Sequence, residues 1–274
     1  DHELIPNVNK PRWAPELHEI DGKLYIFLAI GDDWKQVQSS IMELKEGGNP
    51  INKNDWKEAV RVRKQDGSYL YEDGITLDMT YFEVNGVSYV CWAQREMTND
   101  RGFGTSDLYI ATIDKQNPYQ LTSAPTCILR PQYGWDRFDA TVDEGPYVIQ
   151  RDGTVYMTFS GSSVSNTYCV GLLTANAESD LLDAASWNET GYPILQAESV
   201  AGEGGPGHSA FTVDEDGNDL FVYHMKPGGG TRSASARRVH WAADGTPVLD
   251  MTIDRELKEE YRTVTGTIIV EEGD

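Results

Sequence analysis

Four residues in this chain combine acid–base chemistry with regular spacing. They are Glu16, Asp78, Glu144 and His208, separated by 62, 66 and 64 residues. Three carboxyl groups and an imidazole brought into one partly desolvated pocket cannot all ionise freely, so one carboxyl keeps its proton while a neighbour stays charged. That is the condition for general acid catalysis, and two carboxyl groups with divided roles are what hydrolysis of a glycosidic bond requires. Trp13, Tyr81, Phe82, Trp92, Trp135 and Tyr147 lie close by in sequence and offer ring faces on which a sugar could stack. Each residue also has a plainer reading. Taken alone, Glu16 after Ala-Pro is a solvated residue opening a strand, Asp78 caps a loop, Glu144 belongs to an acidic turn, and His208 is a polar residue of a channel wall. His18, His224 and His240 have no ligand spacing and read as packing residues.

The spacing matters because the surrounding sequence repeats with it. PELHEIDGKLYIFLA, DMTYFEVNGVSYVCWA, EGPYVIQRDGTVYMTFS and HSAFTVDEDGNDLFVYH each read as strand, Asx-Gly turn and strand, with turn glycines Gly22, Gly86, Gly153 and Gly217. Asp-Gly or Asn-Gly between alternating apolar runs is the strongest short-range hairpin signal. A third run follows each hairpin (SSIMEL, DLYIATI, YCVGLLTA, RRVHWAA), then a fourth (AVRVR, TCILRP, YPILQ, PVLDM). The repeats span roughly 13–64, 76–131, 142–197 and 206–251, and 252–274, with VTGTIIVEE, reads as a closing segment. The best helical stretch is short, around Asp180 to Trp187. The fold predicted is all-β, a β-propeller of four-stranded blades forming one domain over 1–274. The first strand of each blade lines the channel of such a fold, so the four residues are expected to hold equivalent places and converge on one funnel.

Composition narrows the partners. Forty-four acidic against twenty-three basic residues leave a net charge of −21, a field that repels phosphate backbones and anionic lipid. Neither nucleic acid nor a membrane is an expected partner. The longest clean apolar run, Leu24 to Ile30, is far below the roughly 20 residues of a membrane-spanning helix. Cys91, Cys127 and Cys169 have no Cys-x-x-Cys spacing and read as core thiols. No Gly-x-Ser-x-Gly elbow or His-Glu-x-x-His word occurs, and EGGPGH and GFGTS lack the Lys-Ser/Thr of a phosphate loop. The chain opens on Asp1, as a processed or trimmed product would, and the expectation leans to a secreted protein.

Through RWAPELHEIDGKLYIFLA, LDMTYFEVNGVSYVCWA, VDEGPYVIQRDGTVYMTFSGS, YCVGLLTA, SDLLDAASW, PILQ and GPGHSAFTVDEDG, in this order from about Trp13 to Val248, the chain resembles glycoside hydrolase family 43. These are five-bladed propellers acting on arabinofuranosides and xylosides, and the match is to the exo-acting α-L-arabinofuranosidase branch. The resemblance implies an inverting enzyme that removes terminal arabinofuranose from arabinan or arabinoxylan, with β-xylosidase or a catalytically inactive sugar-binding propeller as alternatives. It implies that Glu144 of the EGP word is the general acid and that Asp78 orients the acid and raises its pKa. Glu16 is expected in the funnel near the substrate, His208 near a channel ion or water, and Arg232 as a sugar contact. Trp13, Phe82 and Trp92 complete the expected sugar-binding set. No organic cofactor is implied; a structural calcium in the channel is. An inverting pair should stand roughly 6.5–9.5 Å apart. The family's base is an aspartate opening a blade a full repeat upstream of WAPE, and nothing in Asp1 to Arg12 reproduces its Asp-Pro pattern. An open propeller exposes blade edges, so self-association into a homo-oligomer is expected.

Overall fold

The computed structural model describes residues 11–97, 104–197 and 199–258. Among them the strands form four antiparallel sheets in chain order. The first blade holds β1 (Arg12–Ile20), β2 (Lys23–Ile30), β3 (Gln38–Glu43) and β4 (Val60–Arg61). The second holds β5 (Gly74–Val84), β6 (Val87–Glu96), β7 (Ser106–Asp114), the side hairpin strand β8 (Asn117–Leu121) and β9 (Thr126–Leu129). The third holds β10 (Asp143–Arg151), β11 (Thr154–Gly161), β12 (Cys169–Asn176) and β13 (Asn188–Glu189), and the fourth β14 (Glu203–Val213), β15 (Asp219–Pro227) and β16 (Ser233–Arg238). A separate pair, β17 (His240–Trp241) and β18 (Pro247–Val248), follows. The first strands pack on one another in order, β1 on β5, β5 on β10 and β10 on β14. Sheets radiating from a shared inner row of strands make a β-propeller.

The hairpins form where the Asx-Gly words predict them. Asp21 with Gly22, Asn85 with Gly86 and Asp152 with Gly153 all have positive φ, the backbone of a type I′ turn, whose twist matches the strands it joins. These turns also fasten blades together at the end opposite the funnel. Asn85 donates to the Ala177 carbonyl and to Glu178 of the third blade, and Gln116 of the second donates to Asp21 of the first. Between blades lies the core: Ile20, Phe27 and Ile41 of the first meet Met79, Trp92 and Ala111 of the second, and Val170 and Leu195 of the third meet Phe221 and Tyr223 of the fourth. Each such large side chain contributes about 1.5–3 kcal/mol by leaving water.

The outer strands depart from the sequence reading. In the third blade the edge strand is Asn188–Glu189, pairing with Leu173 and Thr174, and YPILQ supplies only the bridge from Leu195 to Val170. In the fourth the third strand starts at Ser233, upstream of RRVHWAA. Edge pairing is chosen by the neighbour already in place, and apolar content does not report it. Asp180 to Trp187 yields a single 3-10 turn, Ala184–Ser186, capped by Asp183. Of the expected closing segment residues 252–258 are described, with the short helix α1 (Ile253–Glu256); VTGTIIVEE lies outside the described residues, as do positions 1–10 and Gly102 and Phe103 of GFGTS. Cys91, Cys127 and Cys169 are free thiols, the first and last buried.

Candidate active site

The first strand of every blade is interrupted at the same point. Register shifts fall between Trp13 and Glu16, Leu77 and Thr80, Glu144 and Tyr147, and Gly207 and Ala210. In each, two residues oppose one on the second strand, so each is a β-bulge. The first bulged residue is left-handed in all four: Ala14 (φ 45), Asp78 (φ 53), Gly145 (φ 58) and His208 (φ 48). The four acid–base residues therefore do not hold equivalent places, as the spacing had suggested. Asp78 and His208 sit on the left-handed position, Glu144 one residue before it and Glu16 two after. They converge because bulging re-aims several successive side chains at once. It also frees backbone N–H groups from the ladder, and two of these are used across blades: Gly145 N donates to Asp78 Oδ2 at 3.1 Å and His208 N to Ser160 Oγ at 2.7 Å.

Glu144 is buried, and both carboxylate oxygens are engaged. The Tyr168 hydroxyl donates to Oε1 at 2.8 Å, and Arg95 Nη2 donates to Oε2 at 2.6 Å. Asp78 is buried behind it, 4.0 Å from His208 Nδ1. Burial pushes the Asp78 carboxyl up to about 6, opposed by His208 and reinforced by Glu144, with Arg95 and Glu16 exerting smaller opposing and reinforcing fields. The three carboxyl groups thus share one electrostatic neighbourhood. Glu16 is tied to His18 Nε2 at 2.9 Å, and that ring stacks on Tyr147 and meets Phe27 and Tyr81 edge-on. Arg95 and Glu144 line a cavity of about 570 Å³ whose other walls include Thr105, Asp139, Thr141 and Ser162. A buried carboxyl at the edge of a cavity, backed by a second carboxyl that holds its proton to higher pH than usual, is equipped to protonate a leaving oxygen.

Residues 3–247 match the family model described as glycosyl hydrolases family 43. The chain belongs to that family. It is 38% identical over 247 residues to the extracellular exo-α-(1→5)-L-arabinofuranosidase of Streptomyces avermitilis, and 36% identical over 247 residues to α-L-arabinofuranosidase 43 of Humicola insolens; each alignment covers 86% of this chain and 49% of the relative. The chain thus spans about half the length of the curated relatives it matches. The crystal structure of α-L-arabinofuranosidase from Lactobacillus brevis superposes with a TM-score of 0.76 at 32% identity, over 87% of this chain and 75% of that one. A thermostable family-43 glycoside hydrolase at 24% identity shares the fold, with a TM-score of 0.68 over 86% of this chain and 73% of that one.

Within this family-43 chain, two aromatic residues expected at the sugar turn out to be core. Trp92 is 0% exposed and stacks on Tyr109 between the first and second blades, and Phe82 is 7% exposed and stacks on Tyr89. Neither has a free face, because the apolar positions of β5 and β6 are claimed by blade-to-blade packing. Trp13 is half-buried against the same cluster as Phe82, and Trp135 packs on Phe159. Arg232 is exposed; burial first, and then the field of Arg232, lower His224, whose ring stacks on Tyr168, to about 4. His18, read from sequence as packing, is a hydrogen-bond partner of Glu16.

Arg95 and Tyr168 were missed by the sequence reading, and topology is the signal that finds them. In an antiparallel blade the funnel end of the sheet is reached by the starts of odd strands and the ends of even ones. Arg95, closing β6, lies opposite Ile75, and Tyr168 immediately precedes β12, whose first residue Cys169 pairs with Gly161 and through it with Asp143. Tyr168 is wedged there: a Cβ on Gly207 would lie 2.4 Å from its ring. The calcium expected in the channel can be set against the donors present. Among the described residues no three His, Cys, Asp or Glu side chains converge as a metal cage, and His208 has one carboxylate at 4.0 Å. A cage of protein side chains does not fit, and no step below passes through an ion.

Proposed function

We propose that the protein is an inverting, exo-acting α-L-arabinofuranosidase that releases terminal arabinofuranose from arabinan or arabinoxylan side chains, with Glu144 as its general acid. The observation that carries this reading is the carboxyl of Glu144, buried at the cavity edge with Asp78 bonded to the next residue's N–H. Glu144 would protonate the glycosidic oxygen as the bond to the anomeric carbon breaks, while water attacks from the opposite face. Asp78 fixes the turn that presents the acid through its bond from Gly145 N. Glu16, bonded to His18, adds its field to that of Glu144 on Asp78. The base implied by the family resemblance belongs upstream of Trp13, outside the described residues. The names of the Streptomyces and Humicola relatives support the substrate class, and the first of them also supports an extracellular setting.

The test is Glu144→Gln, which keeps the shape and removes the proton. Turnover of 4-nitrophenyl α-L-arabinofuranoside should fall by about 10²–10⁴-fold with the circular dichroism spectrum unchanged. Equal turnover by the two proteins would remove Glu144 from the mechanism. Turnover of the corresponding β-D-xyloside instead would redirect the reading to a xylosidase, and calorimetric binding of arabinotriose without product would redirect it to a sugar-binding propeller.

A further inference from the structure

Glu144 has unlike surroundings on its two sides. On the side of the inner row of strands stand Asp78, Glu16 and His208, each carried by the first strand of its blade. On the other side lies the cavity of about 570 Å³. Among the described residues that line it, none belongs to β1, β5 or β14; apart from Glu144, the wall is made by Arg95 near the end of β6, Thr105 ahead of β7, residues 139–142 ahead of β10 and residues 162–164 after β11. It is an off-axis cavity, at the seam of the second and third blades. The two sides also differ in charge. Two further carboxyl groups, Asp78 and Glu16, act from the inner side. The cavity side carries the guanidinium of Arg95, and the carboxylate of Asp139 is engaged there, accepting from Ser165 Oγ at 2.9 Å and Thr167 Oγ1 at 2.7 Å. Hydroxyl and small apolar side chains such as Thr105, Thr141, Ser163 and Val164 complete the wall.

When a glycosidic bond breaks, the bonding pair leaves with the departing oxygen, which takes the proton of the acid, and positive charge develops on the ring that keeps the anomeric carbon. Carboxylates stabilise that ring and a guanidinium opposes it. The terminal sugar therefore belongs on the inner side of Glu144. The departing chain stays neutral, and hydroxyl-lined walls suit it. We infer that the off-axis cavity receives the departing chain: the terminal arabinofuranose sits between Glu144 and the inner strands, the uncharged remainder of the polysaccharide runs into the cavity, and Val164 limits the bulk that can enter. Val164 lines the cavity and yet is 47% exposed, so its side chain stands in the opening. Its backbone is held from two directions. Lys226 of the fourth blade donates to the Val164 carbonyl at 2.7 Å, and Asp139 grips the loop on either side, its N–H donating to Ser162 Oγ at 3.3 Å and its carboxylate accepting from Ser165. The loop rests directly on the fourth blade, where a Cβ on Gly205 would lie 2.1 Å from the Ser165 carbonyl oxygen. The inference deepens the arabinofuranosidase reading and rests on it.

The experiment compares Val164→Arg with wild type, in the protein that carries this chain, on two substrates. One is α-1,5-arabinotriose, whose leaving group is a disaccharide. The other is α-L-arabinofuranosyl fluoride, whose leaving group is a single atom and needs no room beyond the acid. A long side chain in the opening should lower the ratio of kcat/KM for the trisaccharide to that for the fluoride by about tenfold or more. Should Val164→Arg fail to fold, as circular dichroism would show, Val164→Met is a smaller intrusion that reads the same ratio. Wild-type rates on both substrates would mean that the chain departs by another route, and an equal loss on both would place the terminal sugar in the cavity. Either result overturns the inference and leaves the arabinofuranosidase reading intact. Wild-type protein that hydrolyses neither substrate would instead bring down that reading, and the inference with it.

Discussion

Asp78 and Glu144 are neighbours in space but are held by different means, and this divides their labour. Glu144 has a guanidinium and a phenol on its oxygens. Asp78 has one backbone N–H and a distant imidazole, and burial outweighs both, raising its carboxyl to about 6. The sign of the consequence follows from proton counting. Between the ordinary aspartate range and about 6 the unfolded chain has released this proton and the native chain keeps it, so stability falls as pH rises through that window and stays lower above it. Asp78→Asn, which can still accept from Gly145 N, should therefore raise stability at pH 7.5 by roughly 1–3 kcal/mol in urea melts and have little effect near pH 4. The same change should lower turnover, because the residue facing the acid can no longer carry charge. Sequence made the residue types at this site legible, because carboxyl groups that recur in step with a strand repeat are gathered at one end of the fold. It did not reveal Arg95 or Tyr168, whose relation to Glu144 exists only once strand ends are placed side by side. Nor did it separate Phe82 and Trp92 from true sugar platforms, because alternation assigns a residue to a face of the sheet without saying whether another blade covers that face.

At the scale of the strand, the repeated bulge is what turns a spacing into a site. A left-handed residue costs an L-amino acid about 1–2 kcal/mol relative to a helical or extended backbone, and here three of the four positions carry side chains that bear it. Gly145 is the exception and has a second reason to be glycine: a Cβ there would stand 3.2 Å from His208 Nδ1. Gly145→Ala should lower stability by about 1–2 kcal/mol and displace the imidazole, whereas Ala14→Gly at the corresponding bulge should be neutral or stabilising by under about 1 kcal/mol. Chemical denaturation of the two variants reads the difference, and a loss in both would show that the bulges are not equivalent. The hairpins were legible because their turn chemistry is local: Asx-Gly needs no partner to prefer positive φ. The bulges were not, because Ala14, Asp78, Gly145 and His208 share a backbone conformation and no residue type. The two-residue edge strand β13 escaped for a related reason, being defined by the pairing strand rather than by its own composition, whereas β4 falls within the expected AVRVR run.

The seam between the second and third blades extends the same electrostatics to the whole molecule. Asp107, Asp136, Asp143 and Glu189 lie along it, and burial raises all four, Asp107 to about 6 and Glu189 to about 7. Arg130 opposes the first and the side chain of Gln132 the last. Groups raised in the native state bind protons that the unfolded chain has released, so the propeller should melt at a higher temperature at pH 5 than at pH 8, with most of the loss complete by about pH 7. Replacing Glu189 with Gln and Asp107 with Asn should flatten that slope at constant ionic strength; an unchanged slope would assign it to the net charge of −21 instead. The propeller as a whole was legible from period and turn words, since a sandwich or jelly roll does not return one four-strand grammar at one interval. The ties between its hairpin turns, Asn85 to Ala177 and Gln116 to Asp21, were not. They make the two rims unlike as places to splice. Foreign segments or fused modules grafted at the riveted rim would pull adjacent blades out of line. Grafts in the surface loop carrying the exposed Phe138, on the cavity side, would alter what the protein meets without loosening the wheel.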